Sequence, residues 1–168
     1  MPDRTAPTCG DAALTDDGLP ASTPPDDFVL ERTWALESLR QLTGLRAEIV
    51  DALTPDGWAG PLPKDLDRIP HTMVLVASEL ATNGLRHGRP PTIVQLLRFG
   101  DMYLLDVADH DLRTAPYIAE GRPPGDGGLG LQIARRLALD VGWYATDATK
   151  HVWATFPADR TTDVADAS

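Results

Sequence analysis

The spacing of apolar residues predicts four elements in the first half of the chain. In FVLERTWAL, large apolar residues at even spacing predict a strand over residues 28–36. The run LRQLTGLRAEIVDAL then repeats Leu and Ile at helical spacing, which predicts a helix over residues 39–53. A second helix is predicted from Pro70, a residue suited to the first helical position, to His87, where Gly88 ends it. The strand TIVQLLRF follows.

The second half continues with MYLLDVAD, a strand joined to TIVQLLRF by a hairpin turn at Gly100 and Asp101. GLGLQIARRLALD predicts a third helix, and VGWYAT and KHVWATF predict a second hairpin. The predicted order is β-α-α-β-β-α-β-β. Because hairpins link the strands, this order predicts an α+β protein, a two-layer α/β sandwich with a mostly antiparallel, mixed sheet and helices on one face.

The two ends of the chain have a different composition from the middle. Residues 1–26 are rich in Pro, Asp and Thr and contain almost no large apolar side chains. Such a segment buries too little surface to offset the entropy of ordering, so we expect a disordered acidic arm. Residues 158–168 are expected to form a disordered tail for the same reason. One folded domain is predicted over residues 27–157.

The net charge of −10 comes mostly from these ends, since nine of the 25 acidic residues lie in residues 1–27 and 157–168. Neither the ends nor the middle carries a basic stripe, which argues against direct nucleic-acid binding. No apolar run approaches the roughly 20 residues of a membrane span. The first residues contain no apolar signal core, and the single cysteine, Cys9, allows no internal disulfide. These features predict a cytoplasmic protein.

The first candidate for chemistry is the predicted helix over residues 70–87. Glu79, Asn83 and His87 are spaced four residues apart, so their side chains share one helix face. A polar face with ordinary hydrogen bonds between successive turns explains this spacing, and a binding face explains it as well. The residues by themselves leave both interpretations open.

Two further motifs follow in the chain. Asp109 ends a predicted strand, where its carboxylate is suited either to accept a hydrogen bond from the amine of adenine or to start a turn. Gly127, Gly128 and Gly130 flank the start of the third helix. Their backbone N–H groups are suited to approach a phosphate, although a plain glycine-rich helix start has the same composition. The motif lacks the lysine and hydroxyl of a Walker loop.

The order of these three motifs resembles that of the GHKL ATPase superfamily, and more narrowly its bacterial anti-sigma-factor serine-kinase branch. ELATNGLRHG is similar to the N-box of that branch, GLGLQIARRLALDVGW to its second glycine box, and KHVWATF to its closing strand. The resemblance covers the central part of the chain. It implies the Bergerat ATP-binding fold, with ATP and Mg²⁺ as cofactors.

The resemblance also implies a role for each matching residue. Glu79 would be the catalytic general base, Asn83 would bind Mg²⁺, and Asp109 would hold the adenine amine. The segment over residues 111–127 would be a lid over the nucleotide. The remaining residues are expected near the phosphates: Arg86, His87, Gly128, Leu129, Gly130 and Leu131.

By this resemblance the protein would bind Mg-ATP, and it would bind a sigma factor, phosphorylate a serine of an anti-sigma antagonist of the STAS type, or do both. Members of the branch commonly form homodimers. One departure supports an alternative, a nucleotide-sensing interaction module without phosphoryl transfer: Asp109-His110-Asp111 stands where the family usually has Asp-x-Gly. A docking scaffold that binds no nucleotide is a third hypothesis.

The remaining residues receive structural interpretations. His71 is predicted to be a surface histidine, and His110 and His151 to be single histidines without a partner at metal-site spacing. Lys150 is predicted to be a solvated lysine of an edge strand. Gly84, where the family commonly has alanine, is expected to leave room near the ligand. The tryptophans of the predicted strands are expected to pack in the core: Trp34, Trp143 and Trp153.

Overall fold

A computed structural model describes residues 19–54, 68–113 and 129–157. These ranges contain every predicted element in the predicted order. A 3₁₀ turn at Leu39–Gln41 precedes the first helix. The elements are β1 (Val29–Leu36), α1 (Leu42–Leu53), α2 (Arg68–His87), β2 (Thr92–Phe99), β3 (Met102–Asp109), α3 (Leu129–Leu137), β4 (Asp140–Ala145) and β5 (Lys150–Pro157). The α+β class is confirmed, and α2 begins two residues before the predicted Pro70.

The five strands form one sheet in the order β1-β2-β3-β5-β4, and every neighbouring pair is antiparallel. The named strands are thus antiparallel throughout rather than mixed. The predicted turn between β2 and β3 is present at Gly100 and Asp101. Gly100 has φ +57° there, in the left-handed region that glycine enters without steric cost. β5 reaches the interior of the sheet by pairing with β3 as well as with β4.

The helices pack on one face of this sheet. α2 lies over the middle, where it contacts β2, β3 and β5, while α1 contacts β1 and α3 contacts β4. Alternate residues of the strands point toward the helices and bury an apolar core with them. On β3 these are Tyr103, Leu105 and Val107. In the described part of the chain, no helix is long and apolar enough to cross a bilayer.

A short segment before β1 runs beside the edge strand β4. The backbone N–H of Ser22 donates to the carbonyl of Trp143 at 2.9 Å, and the N–H of Trp143 donates to Pro20 at 3.1 Å. The indole of Trp153 donates to the carbonyl of Ser22 at 2.7 Å, and Leu19 is buried in the core. Among the described residues, packed contacts are therefore already present at Leu19, before β1.

The three strand tryptophans differ in burial. Trp153 is 1% exposed, and Trp34 and Trp143 are half-buried against the core. The indole N–H of Trp34 donates to the carboxylate of Glu48, which fastens β1 to α1. The expected core packing of the tryptophans is therefore confirmed. Trp34 differs in that its indole N–H also forms a hydrogen bond.

Candidate functional site

Two flanks of α2 have different surroundings. Ser78 faces α1, because its hydroxyl accepts a hydrogen bond from Arg46 Nε at 2.9 Å and donates to the carbonyl of Val74 at 2.7 Å. Glu79 and Asn83 lie across the buried stripe of α2 from Ser78, on the flank toward α3. Both side chains are half-buried. Neither forms a hydrogen bond with another described residue, so both are available to a ligand.

The end of β3 meets the last turn of α2. A Cβ at Gly88 would lie 2.9 Å from Cβ and 3.2 Å from Cγ of Asp109, and a Cβ at Gly84 would lie 3.4 Å from Asp109 Cβ. Glycine at position 88 thus permits the strand end to touch the helix end. The Asp109 carboxylate also accepts the backbone N–H of Asp111 at 2.7 Å. Asp109 therefore does start a turn, while a second carboxylate oxygen remains for other partners.

Lys150 supplies one of those partners, and its prediction as a solvated edge lysine is wrong. β5 lies between β3 and β4, so Lys150 is not on an edge strand, and its register partner is Asp109. Its Nζ lies 3.6 Å from Asp109 Oδ2 and 3.8 Å from Asp111 Oδ2, and its side chain is 11% exposed. A partly buried cation therefore lies beside the carboxylate expected to hold the adenine.

A cleft of about 370 Å³ opens next to Asp109, between the end of α2 and the segment after β3. Two arginines line it against one carboxylate, so a negatively charged ligand is favoured there. The Nδ1–H of His110 donates to the backbone carbonyl of Arg89 at 3.2 Å. The lining residues are His87, Gly88, Arg89, His110, Asp111, Leu112 and Arg113.

The other predicted site residues have the following positions. Arg86 and His87 are exposed in the last turn of α2. Leu129 and Gly130 are the first two residues of α3, so Gly130 lies inside the helix. Leu131 is 5% exposed and packs in the core. Gly128 and most of the predicted lid, residues 114–127, lie outside the described residues. His71 is exposed, as predicted.

The space beside Gly84 belongs to Thr92 and not to a ligand, so that expectation is wrong. A Cβ at Gly84 would lie 2.8 Å from Oγ1 and 2.9 Å from Cγ2 of Thr92. Thr92 is fully buried, and its hydroxyl has no hydrogen-bond partner within the described part of the chain. Gly84 therefore allows close packing of α2 on the start of β2.

His151 lies in a polar cluster that joins β3, β4 and β5. Its Nδ1 lies 2.7 Å from Oδ1 of Asp106, and the hydroxyl of Tyr144 donates to Oδ2 of the same carboxylate at 3.2 Å. The Tyr144 ring stacks on the imidazole at 4.5 Å. Burial, followed by the charge and the hydrogen bond of Asp106, raises the pKa of Tyr144 to about 12. Sequence alone does not reveal this cluster, because it depends on β3 and β5 being neighbours.

Mg²⁺ fits the donor set that α2 offers. Asn83 supplies one neutral oxygen, and Mg²⁺ usually takes one or two protein ligands with the rest from phosphates and water. No group of three or more metal-binding side chains occurs among residues 19–54, 68–113 and 129–157. A metal at this site would therefore be carried mostly by the nucleotide.

Comparison with known proteins adds no relative, since neither a family model nor a curated protein matches the chain. The function must therefore be inferred from the residues and geometry of the site.

Proposed function

We propose that the protein is an ATP-binding regulatory protein of the GHKL type, similar to the anti-sigma-factor serine kinases. The five-stranded antiparallel sheet with helices on one face supports the Bergerat form of the α+β fold. The location of the motifs on this fold provides the more specific support.

The observation that carries the proposal is the contact between the end of β3 and the end of α2. Asp109 lies against Gly88, the residue after the end of α2, and α2 carries Glu79 and Asn83. Two motifs well apart in the sequence thus share one end of the molecule. A cleft with an excess of basic groups adjoins them. A carboxylate suited to the adenine amine, an amide oxygen suited to Mg²⁺ and a carboxylate suited to act as general base together support binding of ATP and phosphoryl transfer from it.

In the proposed site Asp109 accepts a hydrogen bond from the adenine amine. Asn83 holds the Mg²⁺ that accompanies ATP, and the ion neutralises charge on the phosphates. The start of α3, with Leu129 and Gly130, directs a positive helix end toward the phosphates. At the end of α2, Arg86 supplies positive charge and His87 supplies a ring nitrogen for hydrogen bonding.

Phosphoryl transfer would use Glu79 as the general base. The serine hydroxyl of a partner protein attacks the γ-phosphorus, and its proton passes to the Glu79 carboxylate. The bond to the β,γ-bridging oxygen breaks, and ADP leaves with that oxygen. The partners proposed are a sigma factor and an anti-sigma antagonist of the STAS type. Catalysis of this kind rests mainly on positioning and on the metal.

A single-turnover assay with γ-labelled ATP and a candidate antagonist tests the transfer step. Wild type is expected to label a serine of the antagonist. Glu79→Gln is expected to bind ATP with wild-type affinity but to lose labelling by about a hundredfold or more. Glu37→Gln, at an exposed site, is the matched control and should behave as wild type. Equal labelling by wild type and Glu79→Gln would refute the role of Glu79.

A second candidate function is a nucleotide sensor that transfers nothing. It is favoured by the crowding of Asp109, where Lys150 and Asp111 occupy positions next to the carboxylate. ATP binding by wild type, with no labelled serine in the same assay, would select this function over the kinase. Absence of ATP binding would exclude both.

A further inference from the structure

A second polar cluster lies on the opposite face of the sheet from the proposed ATP site. Adjacent residues of a strand point to opposite faces, so His151 points away from Lys150, and Asp106 away from Asp109. His151 Nδ1 lies 2.7 Å from Asp106 Oδ1, and His151 Nε2 lies 2.8 Å from the hydroxyl of Thr149. A hydroxyl, an imidazole and a carboxylate are thus joined in one line of hydrogen bonds.

The chemistry of the groups fixes the direction of these hydrogen bonds. An ionised Asp106 can only accept, so the Nδ1–H of His151 donates to it. In the neutral imidazole Nε2 then carries the lone pair, and the hydroxyl of Thr149 must donate to it. The hydroxyl of Thr146, 2.8 Å from that of Thr149, becomes a donor to it. The lone pair of Nε2 is therefore aimed at the proton of Thr149.

The surroundings hold the imidazole in this orientation. Asp106 is 5% exposed and also accepts from Tyr144, whose raised pKa keeps the phenol protonated as a donor. The Tyr144 ring covers one face of His151 with an interplanar angle of 10°. Thr149 lies outside the strands, in the turn between β4 and β5, and is half-buried. The turn residues beside it, Thr146, Asp147 and Ala148, are exposed, so Thr149 stands at the surface end of this line of hydrogen bonds.

A nucleophile within hydrogen-bond reach of a base, with the base oriented by a third group, is the arrangement of activated serine and threonine side chains. We propose that Thr149 is a base-activated nucleophile and a site of covalent acylation by activated carboxylic esters. His151 is its general base, and Asp106 is a positioning residue that acts through His151. The proposal uses no residue of the proposed ATP site and does not depend on that function.

In the proposed step the Thr149 oxygen forms a bond to the ester carbonyl carbon, and its proton passes to His151 Nε2. The bond from that carbon to the leaving oxygen then breaks. The leaving group departs with the proton from Nε2, which restores the neutral imidazole. The product is an ester on Thr149 and the free alcohol or phenol. No oxidant or further reactant is needed.

The experiment treats the full chain with p-nitrophenyl acetate and locates the acetyl group by peptide mass spectrometry. Wild type is expected to carry it on Thr149, and Thr149→Ser to carry it at the same position. Thr149→Val keeps the shape without the hydroxyl and should lose this label, while the exposed control Thr33→Val should keep it. Wild type acetylated only on lysines, with Thr149 unmodified, would overturn the proposal.

The role of Asp106 has its own readout. Asn in place of Asp106 can donate to Nδ1, which would move the imidazole proton to Nε2 and remove the base. Asp106→Asn is therefore expected to lower Thr149 acetylation by about a hundredfold. Nitrogen-15 NMR of His151 should show the proton on Nδ1 in wild type and on Nε2 in the variant. Wild-type acetylation by a variant with the moved proton would refute the role of His151 as base.

Discussion

Lys150 Nζ lies 3.6 Å from Oδ2 of Asp109, its register partner across β3 and β5, and 3.8 Å from Oδ2 of Asp111. The cation occupies the side of the Asp109 carboxylate that the turn at Asp111 leaves open. Adenine must share or displace this partner in order to bind as proposed. In the proposed site, the ion pair of Lys150 would therefore compete with the nucleotide for Asp109 and lower the affinity for it.

Lys150→Met is expected to raise the affinity for ATP. The substitution keeps an apolar stem and removes the charge, so Asp109 Oδ2 is freed for the adenine amine. A partly buried ion pair worth about 1 kcal/mol corresponds to a several-fold change in Kd. Isothermal titration of wild type and variant with Mg-ATP measures it. Arg98→Met removes an exposed cation at the other end of β2 and should leave Kd unchanged. Weaker binding by Lys150→Met would show that Lys150 holds the nucleotide.

Gly84→Ala and Gly44→Ala are expected to change stability in opposite directions. A Cβ at Gly84 would lie 2.8 Å from the buried Thr92 hydroxyl, and this overpacking costs about 1–3 kcal/mol. At Gly44, in α1, nothing lies within 4 Å of the added Cβ, so alanine should stabilise by up to about 1 kcal/mol through helix propensity. Urea denaturation of the two variants measures both. A stabilised Gly84→Ala would contradict the packing of α2 on Thr92.

Thr92→Val is expected to stabilise the protein by about 1 kcal/mol. The buried hydroxyl of Thr92 has no hydrogen-bond partner among the described residues, so burying it costs desolvation free energy. In valine a methyl group of similar size fills the same space without that cost. Thr92→Ser keeps the hydroxyl and loses the methyl group, and should destabilise by about 1 kcal/mol. Urea denaturation compares the pair. A destabilised Thr92→Val would show that the hydroxyl has a partner.

Tyr144 is expected to make stability fall in alkali. Its pKa of about 12 in the folded protein lies above the unfolded value of 10.0, so the folded state keeps the proton longer. The associated stability is fully present below pH 10 and is lost as pH rises toward 12. Tyr144→Phe should reduce this loss between the two pH values. In an ultraviolet pH titration of tyrosinate absorbance, the variant should lack one ionisation that wild type shows at high pH. The same titration curve for both proteins would contradict the contact of Tyr144 with Asp106.

The helices and strands of this fold can be predicted from the sequence. Which strands lie next to each other in the sheet cannot. Periodicity identifies a strand at residues 150–157 because apolar residues alternate there. It does not show that β5 inserts between β3 and β4. That one pairing places Lys150 beside Asp109 and His151 beside Asp106. The partners of both residues cannot be predicted from the sequence, because they lie on β3, a strand distant in the chain.

In the candidate site, too, features within one helix can be predicted from the sequence, and contacts between elements cannot. The spacing of Glu79 and Asn83 defines their common face, since a helix fixes it locally. The contact of Asp109 with Gly88 joins two elements and is visible only in the structure. The role of Gly84 was misjudged because its neighbour, Thr92, begins the strand after a turn. Local geometry can be predicted from the sequence, whereas contacts between elements require the three-dimensional structure.

The binding of ATP with and without Mg²⁺, by wild type and Asn83→Ala, tests the proposed function most directly. Isothermal titration should show that wild type binds ATP more tightly when Mg²⁺ is present. Asn83→Ala should bind equally with and without the ion, because the amide oxygen that holds it is gone. Asn83 does not belong to the buried core, so the variant should keep the wild-type melting temperature. No binding of ATP by folded wild type, or the same Mg²⁺ dependence in both proteins, would contradict the site proposed here.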